Sequence, residues 1–199
     1  MGGLIKKTAI ITALSLIAIA FLSVFAIFTF SPSLAGDCCF ELGLKKLAVS
    51  CYEREYKSTG EYDDLVELVD CAIYAEDNQA VVDYGVIMKN RKIEFDGYCK
   101  ELDEESENVG YSAYDYYTNV IMQAYISLEN KDDATKFAVE CAIEKGYTED
   151  SALKNAVNMA KDDKALGDSI IVAYKNANKP NFSNSEKFKK EMKEFGYTF

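Results

Sequence analysis

Residues 49–77 read VSCYEREYKSTGEYDDLVELVDCAIYAED, and the spacing of apolar residues in this stretch decides the fold. On both sides of Ser58-Thr59-Gly60, apolar side chains recur three or four positions apart, which is typical of a helix with one buried face. A glycine that follows small polar residues commonly ends a helix. The pattern therefore predicts one amphipathic helix over residues 40–57, a turn, and a second helix over residues 63–75.

The rest of the chain repeats this alternation of helical periodicity and short breaks. The chain has only two prolines, and this scarcity of helix breakers favours an all-α fold. Asp77 is expected to cap a helix, and Phe188, Met192 and Phe195 share one face of the last helix, where they can cover an open end of the core. Further helices are predicted over residues 80–90, 93–105, 111–128, 132–145, 149–161, 164–176 and 185–195.

A short motif indicates an internal repeat. The tripeptide CAI at residues 71–73 recurs at residues 141–143, which is 70 residues later. This spacing is about twice the 34-residue period of one class of helical-pair repeats. Periods of this length are typical of solenoids, in which each helical pair packs on its neighbours.

Residues 49–77 also resemble a tetratricopeptide (TPR) repeat. The residue types of that family stand at Val49, Tyr52, Tyr56, Gly60, Tyr62, Leu65, Val69 and Ala72. A poorer copy covers residues 116–143, a third covers residues 150–177, and residues 78–107 form a degenerate pair between them. The resemblance implies an α-solenoid of TPR-like antiparallel helical pairs, while the periodicity alone also fits a generic helical bundle.

An uncharged stretch precedes these helices. Thr8–Phe30 contains 23 residues and no charged side chain. As a helix it would be about 34 Å long, enough to cross a hydrocarbon core of roughly 30 Å. We therefore expect a signal-anchor or transmembrane segment within residues 1–36 and a TPR-like helical domain over residues 37–199.

The charge around the uncharged stretch predicts its orientation. Lys6 and Lys7 precede it and should stay cytoplasmic, which places residues 37–199 on the extracytoplasmic side of a single-pass membrane protein. The small residues within 33–36 also resemble a signal-peptidase site that is cleaved after Ala35. A secreted protein is therefore the alternative.

The composition disfavours several classes of function. The chain carries 22 basic and 33 acidic residues, a net charge of −11. This balance disfavours nucleic acid, because binding phosphates requires a basic face. The chain also has no histidine, which is the commonest general base and the commonest nitrogen ligand of metals. We therefore expect no catalytic activity, no cofactor and no metal site.

The six cysteines include no C-x-x-C pair, so neither a zinc site nor a thioredoxin-like redox motif is predicted. Cys51, Cys71 and Cys141 lie on apolar helix faces, where cysteine behaves as a small hydrophobic residue. Cys38 and Cys39 are adjacent and either could form a disulfide elsewhere. The sequence leaves the disulfide state open.

The TPR resemblance also implies a binding surface, because such solenoids bind peptides or protein segments on the face formed by the first helix of each pair. Arg54 and Lys57 on that face are suited to an acidic peptide or a terminal carboxylate. Ordinary solvated charges are the alternative interpretation. The complete predicted surface consists of Ser50, Arg54, Lys57, Tyr116, Asn119 and Gln123.

Four tyrosines stand close together where the predicted helix 111–128 begins, at Tyr111, Tyr114, Tyr116 and Tyr117. Tyrosine is a favoured anchor of protein interfaces because it buries a large area at low entropic cost. The same side chains also suit packing between helical hairpins. Both interpretations stay open.

Together these patterns predict a membrane-anchored, extracytoplasmic TPR-like scaffold that mediates protein–protein interaction in an envelope complex. The alternative is a structural subunit of a larger membrane complex in which the transmembrane helix itself is essential. The choice depends on the family resemblance, and a fold by itself does not determine a function.

Overall fold

The computed structural model of this chain describes residues 15–20, 22–23, 25–29, 31–105, 112–177 and 181–199. All regular secondary structure within these residues is helical, which confirms the predicted all-α class. The helices are α1 (Ser15–Thr29), α2 (Pro32–Glu41), α3 (Lys45–Thr59), α4 (Tyr62–Tyr74), α5 (Asn78–Asn90), α6 (Lys92–Glu105), α7 (Ala113–Ser127), α8 (Lys131–Lys145), α9 (Ala152–Ala160), α10 (Lys164–Asn176) and α11 (Ser185–Glu194).

The contacts divide the chain into two compact units, the first ending at Ala75 and the second beginning at Glu76. This division differs from the boundary between residues 36 and 37 that we drew from the sequence, which falls within α2. Each unit has its own buried apolar residues and is described by itself.

Part of the uncharged stretch Thr8–Phe30 lies outside the described residues. Lys6 and Lys7 lie outside them as well. Among the residues that are described, no single helix has the length and apolarity needed to cross a membrane. Helices α1 and α2 meet those requirements only as a pair, and the pair is bent by 113°.

The first unit contains the helical hairpin predicted from residues 49–77. Helices α3 and α4 pack against each other, and α2 packs on α3. Gly60 joins the hairpin with a left-handed backbone (φ 70°), and its N–H donates to the carbonyl of Tyr56 at 2.8 Å. Only glycine adopts this conformation at little cost, which explains why the turn predicted at residues 58–60 forms there.

One prediction in this unit is wrong. Residues 40–57 do not form a single helix, because α2 ends at Glu41 and α3 begins at Lys45. Gly43 lies between them with φ 72°, which is outside the helical region. No helix was predicted over residues 32–39, because residues 33–36 resemble the cleavage site of a leader segment. Proline in fact occupies the first turn of α2, where it costs no hydrogen bond.

The second unit contains helices α5 to α11. Helix α5 packs on α7, α7 packs on α8 and α9, and α8 packs on α9 and α10. The predicted cap is confirmed, since the carboxylate of Asp77 accepts a hydrogen bond from the backbone N–H of Ala80 at 3.2 Å. Side chains also cap four later helices at Ser112, Asn130, Ser151 and Asp163.

Helices α5 and α7 approach closely at a glycine. A Cβ atom added to Gly85 would lie 2.7 Å from Cγ1 of Ile121, a side chain that is completely buried. Contacts this short do not occur between carbon atoms. The distance between these two helices therefore depends on the missing side chain at residue 85.

The last helix covers the end of the second unit. Phe188 and Met192 are completely buried, as predicted, whereas Phe195 is only half-buried. Glu191 on the same helix accepts hydrogen bonds from the Tyr147 hydroxyl and from the Lys154 amino group, the latter at 2.7 Å. Apolar packing and a charge-assisted pair together hold α11 in place.

We expect the variant Gly85→Ala to be less stable than Gly97→Ala by about 1–3 kcal/mol, because only the methyl group at residue 85 overlaps a neighbouring side chain. Gly97 is a matched control: it lies inside α6, and an added Cβ would have no atom within 4 Å. Both variants gain the same helix propensity, roughly 0.5–1 kcal/mol, so their difference isolates packing. Urea unfolding measures both, and equal stabilities would show that the close approach is not rigid.

Candidate partner-binding surfaces

Helix α3 carries the first predicted surface. Ser50, Arg54 and Lys57 lie on one face of the helix, and all three are exposed. The Ser50 hydroxyl donates within the helix to the carbonyl of Lys46 at 3.1 Å, and the Lys57 amino group pairs with Glu53 at 2.6 Å. No carboxylate of the described residues forms an ion pair with Arg54. The surface therefore offers one guanidinium group to a partner.

Helix α7 carries the second predicted surface, and its three residues differ in exposure. Tyr116 is 44% exposed and its ring meets that of Tyr117 edge-on, with centroids 5.1 Å apart. Gln123 is also exposed. Asn119, by contrast, is only 4% exposed. Tyr116 and Gln123 can touch a partner, while Asn119 lies beneath the surface.

The amide of Asn119 is occupied by hydrogen bonds within the protein. Its nitrogen donates to the carbonyls of Asp115 and Asp150, both at 2.7 Å. Its oxygen accepts from the side-chain amide of Asn155 at 2.6 Å. These bonds connect α7, the loop before α9 and α9 itself. In this structure, Asn119 is a positioning residue, and periodicity alone could not identify Asn155 as its partner.

The predicted tyrosine cluster is mostly part of the core. Tyr114 and Tyr117 are buried, and the ring of Phe95 lies 5.5 Å and 6.3 Å from theirs. Tyr111 lies outside the described residues. Tyr114 and Tyr117 therefore pack between helices, which was one of the two interpretations. Tyr116 is exposed and can contact a partner.

A buried ion pair in the second unit was not predicted. Lys89 is only 6% exposed and its amino group lies 2.8 Å from the carboxylate of Glu144. The same carboxylate accepts a hydrogen bond from the Tyr114 hydroxyl at 3.0 Å. Burial raises the pKa of Glu144, but the hydrogen bond and charge of Lys89 outweigh it and hold that pKa below its usual value. Together with the Tyr114 hydroxyl, the ion pair connects α5, α7 and α8. Glu144 supplies the counter-charge for the buried amino group of Lys89.

A groove between α8 and α10 was also not anticipated. It has a volume of 470 Å³, and Val172 on its wall is 55% exposed. It lies between α8 and α10, whereas the surfaces predicted from the sequence lie on α3 and α7. Its lining combines acidic, basic and apolar side chains, namely Asp132, Asp133, Lys136, Val139, Glu140, Ser169, Val172, Ala173, Asn176 and Ala177.

The cysteines behave as small hydrophobic residues, as predicted for Cys51, Cys71 and Cys141. All three are buried, and each is a free thiol. Burial raises the pKa of Cys71 to about 11 and that of Cys141 to about 12, so both stay protonated near neutral pH. Cys38 is exposed, whereas its neighbour Cys39 is buried.

Comparison with known proteins does not identify a relative: no protein family, curated protein or solved structure matches this chain. The TPR resemblance therefore stays a prediction from residues 49–77. The surfaces described above have to be judged on their own geometry.

We expect Asn119→Ala to lower the free energy of unfolding by about 1–3 kcal/mol, because it leaves the Asp150 carbonyl and the Asn155 amide without their partner. Gln123→Ala, on the same face of α7, should change it by less than about 0.5 kcal/mol. Chemical denaturation of both variants provides the comparison. If the two variants lose equal stability, the internal role of Asn119 is wrong.

The ion pair of Glu144 predicts a pH dependence. Since the folded-state pKa of this carboxyl is lowered, its stabilisation is complete above the unfolded-state pKa and is lost as the pH falls through the folded-state pKa. Glu144→Gln should cost about 3 kcal/mol at pH 7, because Lys89 remains buried without a counter-charge. It should also reduce the loss of stability on acidification.

Glu140→Gln is the matched control, because Glu140 is an exposed acid on the same helix. Free energies of unfolding measured in urea from neutral to acidic pH test the prediction. The prediction is contradicted if Glu144→Gln has the wild-type free energy of unfolding at neutral pH and loses as much of it on acidification as the wild type.

Proposed function

We propose that this protein is a membrane-anchored scaffold that binds an acidic segment of a partner protein on the exposed face of α3. The observation that carries the proposal is Arg54, an exposed guanidinium without an ion pair among the described residues. The chain has two arginines, and the other, Arg91, is paired with Glu94. Arginine binds carboxylates with two parallel hydrogen bonds, which suits a side-chain or C-terminal carboxylate.

The helix contacts of the second unit support a TPR-like solenoid. The first helices of successive pairs touch in series, α5 to α7 and α7 to α9, and the second helices α8 and α10 touch each other. This order is expected when helical pairs stack as repeats. On this proposal, Tyr116 and Gln123 add a second contact surface, and the buried Asn119 holds α7 in position.

The proposed location is the extracytoplasmic face of a membrane, with α1 as part of the anchor. Cleavage before Gly36 would produce a secreted protein, but it would cut α2 after its fourth residue. It would also remove Ala35, which is completely buried. The packing of α2 therefore favours a retained anchor over the secreted alternative.

Reversing the charges of the α3 surface tests the proposed function. The double variant Arg54→Glu, Lys57→Glu should lose most of its partners in affinity purification from membranes, because the acidic segment would meet like charges. The matched control Lys100→Glu, Lys190→Glu changes the net charge equally at two side chains that are each 78% exposed. Quantitative mass spectrometry of the captured proteins gives the readout. An unchanged set of partners would rule out this surface.

The alternative is a structural subunit whose membrane helix is essential. Replacing residues 1–30 by an unrelated anchor separates the two functions, since it leaves α2 intact. A scaffold keeps its partners after the exchange, whereas an integral subunit loses them. Loss of partners in the exchange variant, together with unchanged binding in the charge-reversal variant, would favour the alternative.

A further inference from the structure

Helix α2 is apolar on two sides. One side packs on α3, with Ala35, Gly36 and Cys39 buried. The other side exposes Leu34, Cys38 and Leu42, which are four residues apart and therefore line up along the helix. Leu42 is 74% exposed, which is unusual for a leucine next to a packed helix.

The exposed apolar residues continue into the beginning of α3. Leu44 is 50% exposed and Leu47 is 44% exposed. We call the five side chains Leu34, Cys38, Leu42, Leu44 and Leu47 the leucine surface. A patch of exposed apolar side chains can mark a site that another apolar phase or molecule covers.

We propose that the leucine surface lies in the interface of the lipid bilayer, so that α2 rests on the membrane in which α1 is anchored. This inference rests on the membrane anchor of the proposed function. One observation favours lipid as the occupant: only two residues separate α2 from α1, the helix proposed as part of the anchor.

The short connection between α1 and α2 places α2 close to the membrane. Helix α1 ends at Thr29 and α2 begins at Pro32, and the two helices meet at a sharp bend rather than in one straight span. Three residue steps reach at most about 11 Å, so α2 begins within that distance of the end of α1. Interfacial helices bury their apolar faces about 5–10 Å deep, which is the placement that we propose for the leucine surface.

The charged groups beside the leucine surface fit the same placement. Lys46 is exposed next to Leu47 and can reach lipid phosphates. Lys45 donates to the carbonyl of Tyr74 at 3.2 Å, while Asp37 accepts a hydrogen bond from the Tyr52 hydroxyl at 2.6 Å. That bond turns Asp37 towards α3. Glu41 is exposed at the end of α2, so insertion of the leucines rather than a net positive charge supplies the attraction.

The absence of tryptophan from the chain allows a direct test, because each introduced tryptophan is the only one present. The full chain carrying Leu42→Trp is reconstituted in phosphatidylcholine vesicles with brominated or unbrominated acyl chains. Since a side chain about 5–10 Å deep lies at the upper acyl chains, its emission should lose intensity in the brominated lipid relative to the unbrominated lipid. Ser58→Trp, at the exposed opposite end of α3, is the matched control and should not be quenched.

The variant Phe25→Trp separates failure of this inference from failure of the anchor. Quenching of Phe25→Trp without quenching of Leu42→Trp would leave the anchor intact and overturn the lipid contact. If the emission of Phe25→Trp is not quenched, both the membrane anchor and the lipid contact of the leucine surface are overturned. Blue-shifted emission of Leu42→Trp that bromine does not change means that protein covers the leucine surface, which also contradicts the proposal. Circular dichroism checks that each variant keeps its helix content.

Discussion

The structure depends on the close approach of short helices at positions where one of them has no side chain. Its packed helices range from 9 residues in α9 to 15 residues in α3. An isolated helix shorter than about 12–15 residues is marginal in water, so contacts with neighbours have to supply the stability. Gly85 allows α5 to reach Ile121, and in the first unit Gly36 lets the ring of Tyr52 come within 3.0 Å of where its Cβ would be. Each of these contacts sets the distance between two neighbouring helices.

The distribution of charge follows from the same packing. In the second unit, the buried Lys89 is paired with Glu144, and the largely buried Lys154 is paired with Glu191. Both cations therefore form ion pairs inside the protein. An interior ion pair of this kind adds little net stability compared with apolar residues, but removing one partner is costly. Cations that take part in such pairs are not available to a partner protein. The exposed Arg54 is accessible from solvent, whereas the side chains of Lys89 and Lys154 are largely buried.

Much of the fold could be predicted from the sequence, because helical periodicity and the glycine turn are local signals. The hairpin around Gly60 and the helix over Lys164–Asn176 both came from such signals. Helix α2 was missed, since Pro32 and the small residues after it also fit the end of a leader segment. The site was less predictable. The buried position of Asn119 depends on Asn155, which is 36 residues away, and the α8–α10 groove lies between helices that are not consecutive. Local spacing carries no information about such contacts.

On the proposed membrane placement, helix α2 gives the first unit a role beyond that of a domain attached to an anchor. The missing side chain of Gly36 and the hydrogen bond from Tyr52 to Asp37 both fix the rotation of α2 about its own axis. That rotation decides which side of the helix faces away from α3, and hence where Leu34 and Leu42 point. On the proposed membrane placement, the packing of the first hairpin therefore sets how deeply α2 lies in the interface. The orientation of Arg54 relative to the membrane then follows as well, because α3 carries both Tyr52 and Arg54. A partner would have to approach α3 at an angle that this single helix contact fixes.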